Sequence, residues 1–157
     1  MDFLGLEKLI GKVIFCYDKQ RIQNLIEVCM MEDLITSMLE QKVWVVAGSF
    51  RNETKWAYKI YRKLKDKGYR VYALNKAVKE VDGDRTYPEL KDLPQIPQVI
   101  NLVTPPEVSL KLVEESSRLG ITYAWFQPGA DSAEAVEAAE KAGMRVLHNA
   151  CVYALHS

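Results

Sequence analysis

Lys42-Val-Trp-Val-Val-Ala-Gly-Ser-Phe-Arg-Asn-Glu-Thr-Lys55 decides the fold. Val43 to Ala47 is a run of apolar, largely β-branched residues, as expected of a parallel strand covered on both faces. Gly48 permits a sharp turn and close approach of a ligand to main-chain N–H groups. A helix running to Lys67 is expected next. Its first turn presents unpaired N–H groups and a positive dipole end, the makings of an anion site. Arg51 and Lys55 sit where a helix disfavours cations, a conflict that an anionic ligand would relieve. An ordinary strand-to-helix turn with solvated basic residues is the alternative at this point.

Outward from this stretch the chain is regular. A helix over Thr54 to Lys67 places Ala57, Ile60, Tyr61 and Leu64 on one face and ends at Gly68, before a strand Arg70 to Leu74. A strand Gln98 to Val103 follows the proline-punctuated segment Tyr87 to Pro97. A helix Pro106 to Leu119 ends at Gly120, before a strand Thr122 to Phe126. A last helix, Ser132 to Ala142, has Asp131 as expected N-cap with Glu134 three residues on. It ends at Gly143, before a strand Arg145 to Leu147. Each helix thus closes on a glycine suited to a left-handed C-cap. Alternating strands and helices predict right-handed βαβ units and a parallel sheet of about five strands. Ligands of such sheets lie beyond the strands' carboxyl ends, where the strand order switches. Those ends are Gly48-Ser-Phe50, Asn75-Lys76, Thr104-Pro-Pro106, Gln127-Pro-Gly129 and His148 to Cys151. This is a nucleotide-binding architecture.

Residues 1–41 form an expected N-terminal helical extension, and 42–157 the nucleotide-binding domain. Gly11 to Tyr17 reads as a short strand or as the end of a helix begun near Phe3. From Lys19 to Glu40, Ile22, Leu25, Ile26, Cys29, Leu34, Ile35, Met38 and Leu39 recur at helical spacing. One or two helices packing on the body, or a homodimer contact, account for them. The 157 residues suffice for a core without disulfides or metal. A formal charge of +0 gives no argument for nucleic acid or an acidic membrane. Cys16, Cys29 and Cys151 lack a Cys-x-x-Cys pair, which favours a reducing compartment. No apolar run reaches membrane-spanning length and the N-terminus makes a poor secretory signal, so a cytoplasmic location is expected. His148 and His156 do not form a metal-binding pair.

The dinucleotide fingerprint Gly-x-Gly-x-x-Gly is missing. The second strand ends in Asn75-Lys76 instead of the acid that accepts from an NAD ribose. Lys76 suits a ribose phosphate instead. With no Walker A loop, the surviving candidates are coenzyme A and, less well, NADP.

From about Glu32 to His156 the chain resembles the small stand-alone coenzyme A-binding proteins, whose Rossmann-like domain is similar to the amino-terminal domain of the succinyl-CoA synthetase α subunit. The resemblance is carried by Val46-Ala-Gly-Ser-Phe-Arg-Asn-Glu-Thr-Lys55, Gly68-Tyr-Arg-Val71, Leu74-Asn-Lys76, Tyr87-Pro-Glu-Leu90, Pro105-Pro-Glu107, Trp125-Phe-Gln127, Cys151 and His156. It implies a doubly wound α/β domain. It also implies that Gly48, Ser49 and Phe50 offer N–H groups to a pyrophosphate, with Lys55 adding charge. Asn75 and Lys76 would face a ribose phosphate. Thr104, Pro105 and Pro106 would form a ledge for adenine; Gln127, Pro128 and Gly129 would border the pantetheine arm, and Cys151 would lie near a thiol ligand. The chain departs from the family pattern at Phe50, Lys55, Thr104 and Ala150, which replace a serine, an arginine, a basic residue and an arginine.

Three functions follow. The first is a module that binds coenzyme A or an acyl-CoA without transforming it. The second is an enzyme using NADP or a CoA thioester, with Cys151 reactive. The third is a degenerate scaffold acting through the N-terminal helices. Asp82, Asp84 and Arg85 around Gly83 read as solvated loop charges. Trp56, Tyr58 and Tyr61 read as packing or a partner surface.

Overall fold

The structure, a computed structural model, describes residues 19–155. The readings made for Phe3 to Tyr17 and for His156 fall outside that range. The chain divides into two units, Met1–Thr36 and Ser37–Ser157. The described part of the first lies in one helix, α1 (Lys19–Leu39), on which Leu25, Ile26, Val28, Met30 and Met31 are exposed. Its last residues belong to the second unit, where Met38 is fully buried.

The second unit is built on a seven-stranded sheet in the order β3-β4-β2-β1-β5-β6-β7. The strands are β1 (Val43–Gly48), β2 (Arg70–Leu74), β3 (Glu80–Val81), β4 (Asp84–Tyr87), β5 (Val99–Val103), β6 (Tyr123–Phe126) and β7 (Arg145–Leu147). All neighbours pair in parallel except β3 with β4. The helices are α2 (Trp56–Asp66), α3 (Pro106–Leu119), α4 (Ala133–Lys141) and the short α5 (Val152–Leu155). This is the Rossmann-like α/β architecture expected.

Alternation along the strands sorts the core into two layers. Val45, Ala47, Leu74, Ile100, Leu102, Ala124 and Phe126 pack with Val113, Ile121, Ala135 and Ala139 under α3 and α4. Trp44, Val46 and Trp125 take the opposite face, where α2 buries Ala57, Ile60, Tyr61 and Leu64. Gly68, Gly120 and Gly143, after α2, α3 and α4, all take positive φ, as the sequence required.

The sheet has two more strands than the expected five. The extra pair is a hairpin where isolated loop charges were expected. Its turn is Asp82-Gly83 with φ 57° and 81°, the left-handed pair a two-residue hairpin of type I′ requires. The charges are paired as well. Asp84 accepts from Tyr61 Oη at 2.6 Å and binds Lys65, while Asp82 binds Arg62. Burial and the bond to Asp84 push the Tyr61 hydroxyl well above the ordinary tyrosine value; Lys65, then Tyr61, holds the Asp84 carboxyl below the usual range.

Two helix starts also differ from expectation. Asn52 Oδ1 accepts from Thr54 N at 3.1 Å and Lys55 N donates to Asn52 O at 3.2 Å, so a side-chain-capped turn occupies residues 52–55 and α2 begins at Trp56. Before α4 the cap is Ser132, whose Oγ accepts from Ala135 N at 3.1 Å, and not Asp131. Asp131 instead lies 3.6 Å from His148 Nδ1.

Candidate functional site

The chain runs from β1 outward to β2 and the hairpin, then returns to β5 on the other side of β1. The order therefore switches between β1 and β5, and a crevice must open there beyond their carboxyl ends. A cleft of about 470 Å³ occupies this place. The end of β1 supplies Ala47, Gly48, Ser49 and Arg51; β2 supplies Leu74, Asn75, Lys76 and Ala77; β5 supplies Val103, Thr104 and Pro105. Pro88, and Val108 with Leu112 from one face of α3, complete the lining.

Gly48 is fixed by space. A Cβ there would stand 2.7 Å from Ala57 Cβ and 2.9 Å from Val103 O, so α2 and β5 can converge on the β1 end only without a side chain. Its carbonyl accepts from Asn75 Nδ2 at 2.7 Å. Asn75 Oδ1 takes N–H bonds from Ala77 and Val78 at 2.8 and 2.9 Å. Asn75 is therefore a strut that ties the β1 and β2 ends together and shapes the segment carrying Lys76. Thr104 Oγ1 shares a 2.7 Å hydrogen bond with the buried Ser109 Oγ of α3.

Two cations face this cleft, Arg51 and Lys76, and neither forms an ion pair among the described residues. Among the described residues no carboxylate lines it. Glu89 is held below the usual carboxylate range chiefly by Lys91 and least by Lys76. Unopposed cations around apolar Leu74, Val103, Pro105, Val108 and Leu112 suit a ligand with a flat apolar part and attached phosphates.

The expected site residues divide accordingly. Gly48, Ser49, Asn75, Lys76, Thr104 and Pro105 meet in the cleft. Phe50 does not obstruct it: its ring is buried, with its centroid 5.9 Å from that of Tyr61 in an edge-to-face contact. Lys55, the exposed N-cap of α2, is outside the lining. Pro106, the first residue of α3, lines a different cleft with Glu134. Gln127, Pro128 and Gly129 form a turn closed by Ala130 N donating to Gln127 O at 2.9 Å, with Gly129 at φ 88°. Gln127 itself is buried, and its Oε1 accepts from Val152 N at 3.3 Å. Cys151 is a free, half-buried thiol at the start of α5, beside a segment that Trp125 Nε1 holds through Ala150 O at 2.9 Å. Arg51 was legible, with Lys55, as a cation whose position an anionic ligand would relieve, but the resemblance gave it no role; of the two, only Arg51 lines the cleft. Val108 and Leu112 were legible only as an i, i+4 pair at the start of α3. Among the described residues no His, Cys, Asp and Glu cluster is set to hold a metal, and no helix is long and apolar enough to cross a membrane.

The strand order and the crevice at its switch point define a Rossmann-like α/β class of protein. The chain belongs to the CoA binding domain family, whose pattern matches residues 42–157. It is 28% identical over 118 residues to the alpha subunit of an ADP-forming acetate–CoA ligase II of Pyrococcus furiosus. That match covers 68% of this chain and 26% of the relative, so the chain spans about a quarter of the ligase subunit's length. Among solved structures, a conserved hypothetical protein of Pyrococcus furiosus is 33% identical with a TM-score of 0.67, covering 73% of this chain and 98% of that one. A hypothetical protein from Pyrococcus horikoshii is 29% identical with a TM-score of 0.73, covering 80% and 88%. An acetyl-coenzyme A synthetase of Ca. Korarchaeum cryptofilum, in complex with phosphate and ADP, is 26% identical with a TM-score of 0.60, covering 68% and 25%.

Proposed function

We propose that this protein binds coenzyme A or an acyl-CoA, with the nucleotide end in the β1–β5 cleft, and does not transform it. The observation that carries the reading is the pair of unopposed cations, Arg51 and Lys76, over an apolar floor at the switch point. In this reading the adenine lies against Pro105, Val108 and Leu112. The diphosphate meets the N–H groups after Gly48, and Lys76 meets the ribose phosphate. The thioester end then extends toward the β6 and β7 ends, where Gln127 and Cys151 stand. Binding without turnover is favoured because the cleft offers hydroxyls and cations, and none of the described residues that line it carries a carboxylate, imidazole or thiol. Family membership and the ADP-bound relative support a nucleotide with this chemistry.

Titration calorimetry with coenzyme A, dephospho-coenzyme A, NADP and NAD tests the proposal. Coenzyme A binds tightest, the dephospho form less tightly. Preference for NADP would transfer support to a redox enzyme, and no heat from any of the four would leave a scaffold without nucleotide.

A further inference from the structure

Two features at the carboxyl edge of the sheet have complementary shape and charge, and one molecule cannot bring them together. The first is Trp56, the opening residue of α2, which is 54% exposed although it is a large aromatic. It is held in place. Tyr153 meets it edge-to-face at 5.8 Å, and Lys59 Nζ lies 4.8 Å from its ring centroid. Lys55 precedes it, and neither Lys55 nor Lys59 has an ion pair among the described residues. The feature is therefore an indole knob flanked by two lysines.

The second feature is a cleft of about 410 Å³ between the first turns of α3 and α4. Pro106, Leu110 and Ala133 give it apolar walls; the exposed Glu107 and Glu134 supply carboxylates, and neither is in an ion pair among the described residues. α2 covers one face of the sheet and α3 with α4 the other. The knob and the cleft of one chain are thus on opposite sides of a rigid sheet.

We propose that they meet between two copies of this chain: Trp56 of one seats in the Pro106–Ala133 cleft of the other, with Lys55 and Lys59 against Glu107 and Glu134. Seating Trp56, which is 54% exposed, removes roughly half of the about 150–250 Å² that an aromatic side chain can bury, and aromatic anchors of this kind dominate interface energetics. Both features begin helices at the same edge of the sheet, so the contact can be made reciprocally and close as a two-fold dimer. Stacking of a nucleic acid base is disfavoured because a lysine covers a face of the indole. The formal charge of +0 likewise supplies no field that would gather a polyanion. What the charge does provide is segregation, basic on α2 and acidic along α3 and α4, which a second copy satisfies.

The test is sedimentation equilibrium of the full chain from micromolar to millimolar concentration at low salt, with acrylamide quenching of tryptophan emission on the same samples. Trp44 and Trp125 are fully buried, so the quenching reports on Trp56. Self-association is expected, with quenching that falls as concentration rises. Trp56→Ala, and separately Glu107→Lys with Glu134→Lys, weakens it by about tenfold or more. Adding Lys55→Glu and Lys59→Glu to the double glutamate variant restores it. These positions are exposed apart from the half-buried Lys59, and a thermal melt confirms that each variant is folded. A chain that stays monomeric throughout overturns the proposal. So does association that ignores these substitutions, including association lost instead on Leu25→Lys in α1.

Discussion

A methyl group at position 48 would stand inside the contact distance of both Ala57 and Val103 O, and neither neighbour is a flexible side-chain end. Gly48→Ala is therefore expected to destabilise the fold by about 1–3 kcal/mol through overpacking, read as a lower urea midpoint. The sequence announced a glycine here but not its reason, since the approach of a helix that starts eight residues later is a tertiary fact. In the proposed reading Lys76 and Arg51 act through the ligand. Lys76→Ala is expected to cost about tenfold in coenzyme A affinity and little in dephospho-coenzyme A affinity, whereas Arg51→Ala weakens both. Calorimetry on the two variants separates the roles. Asn101 presents the reverse case. It is fully buried in β5, between the register partners Val46 and Trp125, and neither amide atom has a hydrogen-bond partner. Asn101→Leu replaces an unpaired buried amide by an apolar side chain of the same heavy-atom branching and is expected to stabilise the protein by about 1 kcal/mol in the same urea assay, provided that its neighbours take up the bulkier methyl groups.

The hairpin shows what an element contributes when its charges are latched. Asp84 joins Tyr61 and Lys65 of α2, and Asp82 joins Arg62 of the same helix, so β3 and β4 are anchored to a helix as well as to β2. Asp84 is partly solvated, which limits the latch; Asp84→Asn is expected to cost about 1 kcal/mol at neutral pH. Its carboxyl is held below the usual range in the folded state. The stabilisation is thus complete above the unfolded value of about 4 and lost as pH falls through the lower folded value. The gap between wild type and Asp84→Asn in a pH series of melts should close on that acidic side. The hairpin was legible, because Val81-Asp-Gly-Asp84 carries the Asp-Gly pair that marks a two-residue turn. Strands of two and four residues gave too little alternation to support it, and the charges drew attention away. By contrast the β1, β2, β5, β6 and β7 segments, each apolar and bounded by glycine or proline, were plain from the chain. The α2 start was misplaced because Asn52 and Thr54 compete locally for the backbone.

At the scale of the molecule, the switch in strand order between β1 and β5 puts the cleft where the alternation of elements implied. Its membership was less legible. Residues adjacent in sequence to the β1 end, such as Phe50 and Lys55, are directed elsewhere by the packing of Tyr61 and by the turn at Asn52. Residues distant in sequence, such as Pro88 and Leu112, are brought in by topology. If the cleft is the ligand site, the whole unit should respond to occupancy as one cooperative body. Coenzyme A at a hundredfold excess over its dissociation constant should add about 2.7 kcal/mol to unfolding, read as a rise in Tm that NAD does not reproduce. The strand order has another effect, at the sheet's margins. The described sheet ends in β3, two residues long, on one side and β7, three residues long, on the other. A stub of that length exposes too few main-chain donors and acceptors to template the addition of another chain. A concentrated solution of this protein is thereby protected against fibrillar, backbone-to-backbone polymerisation.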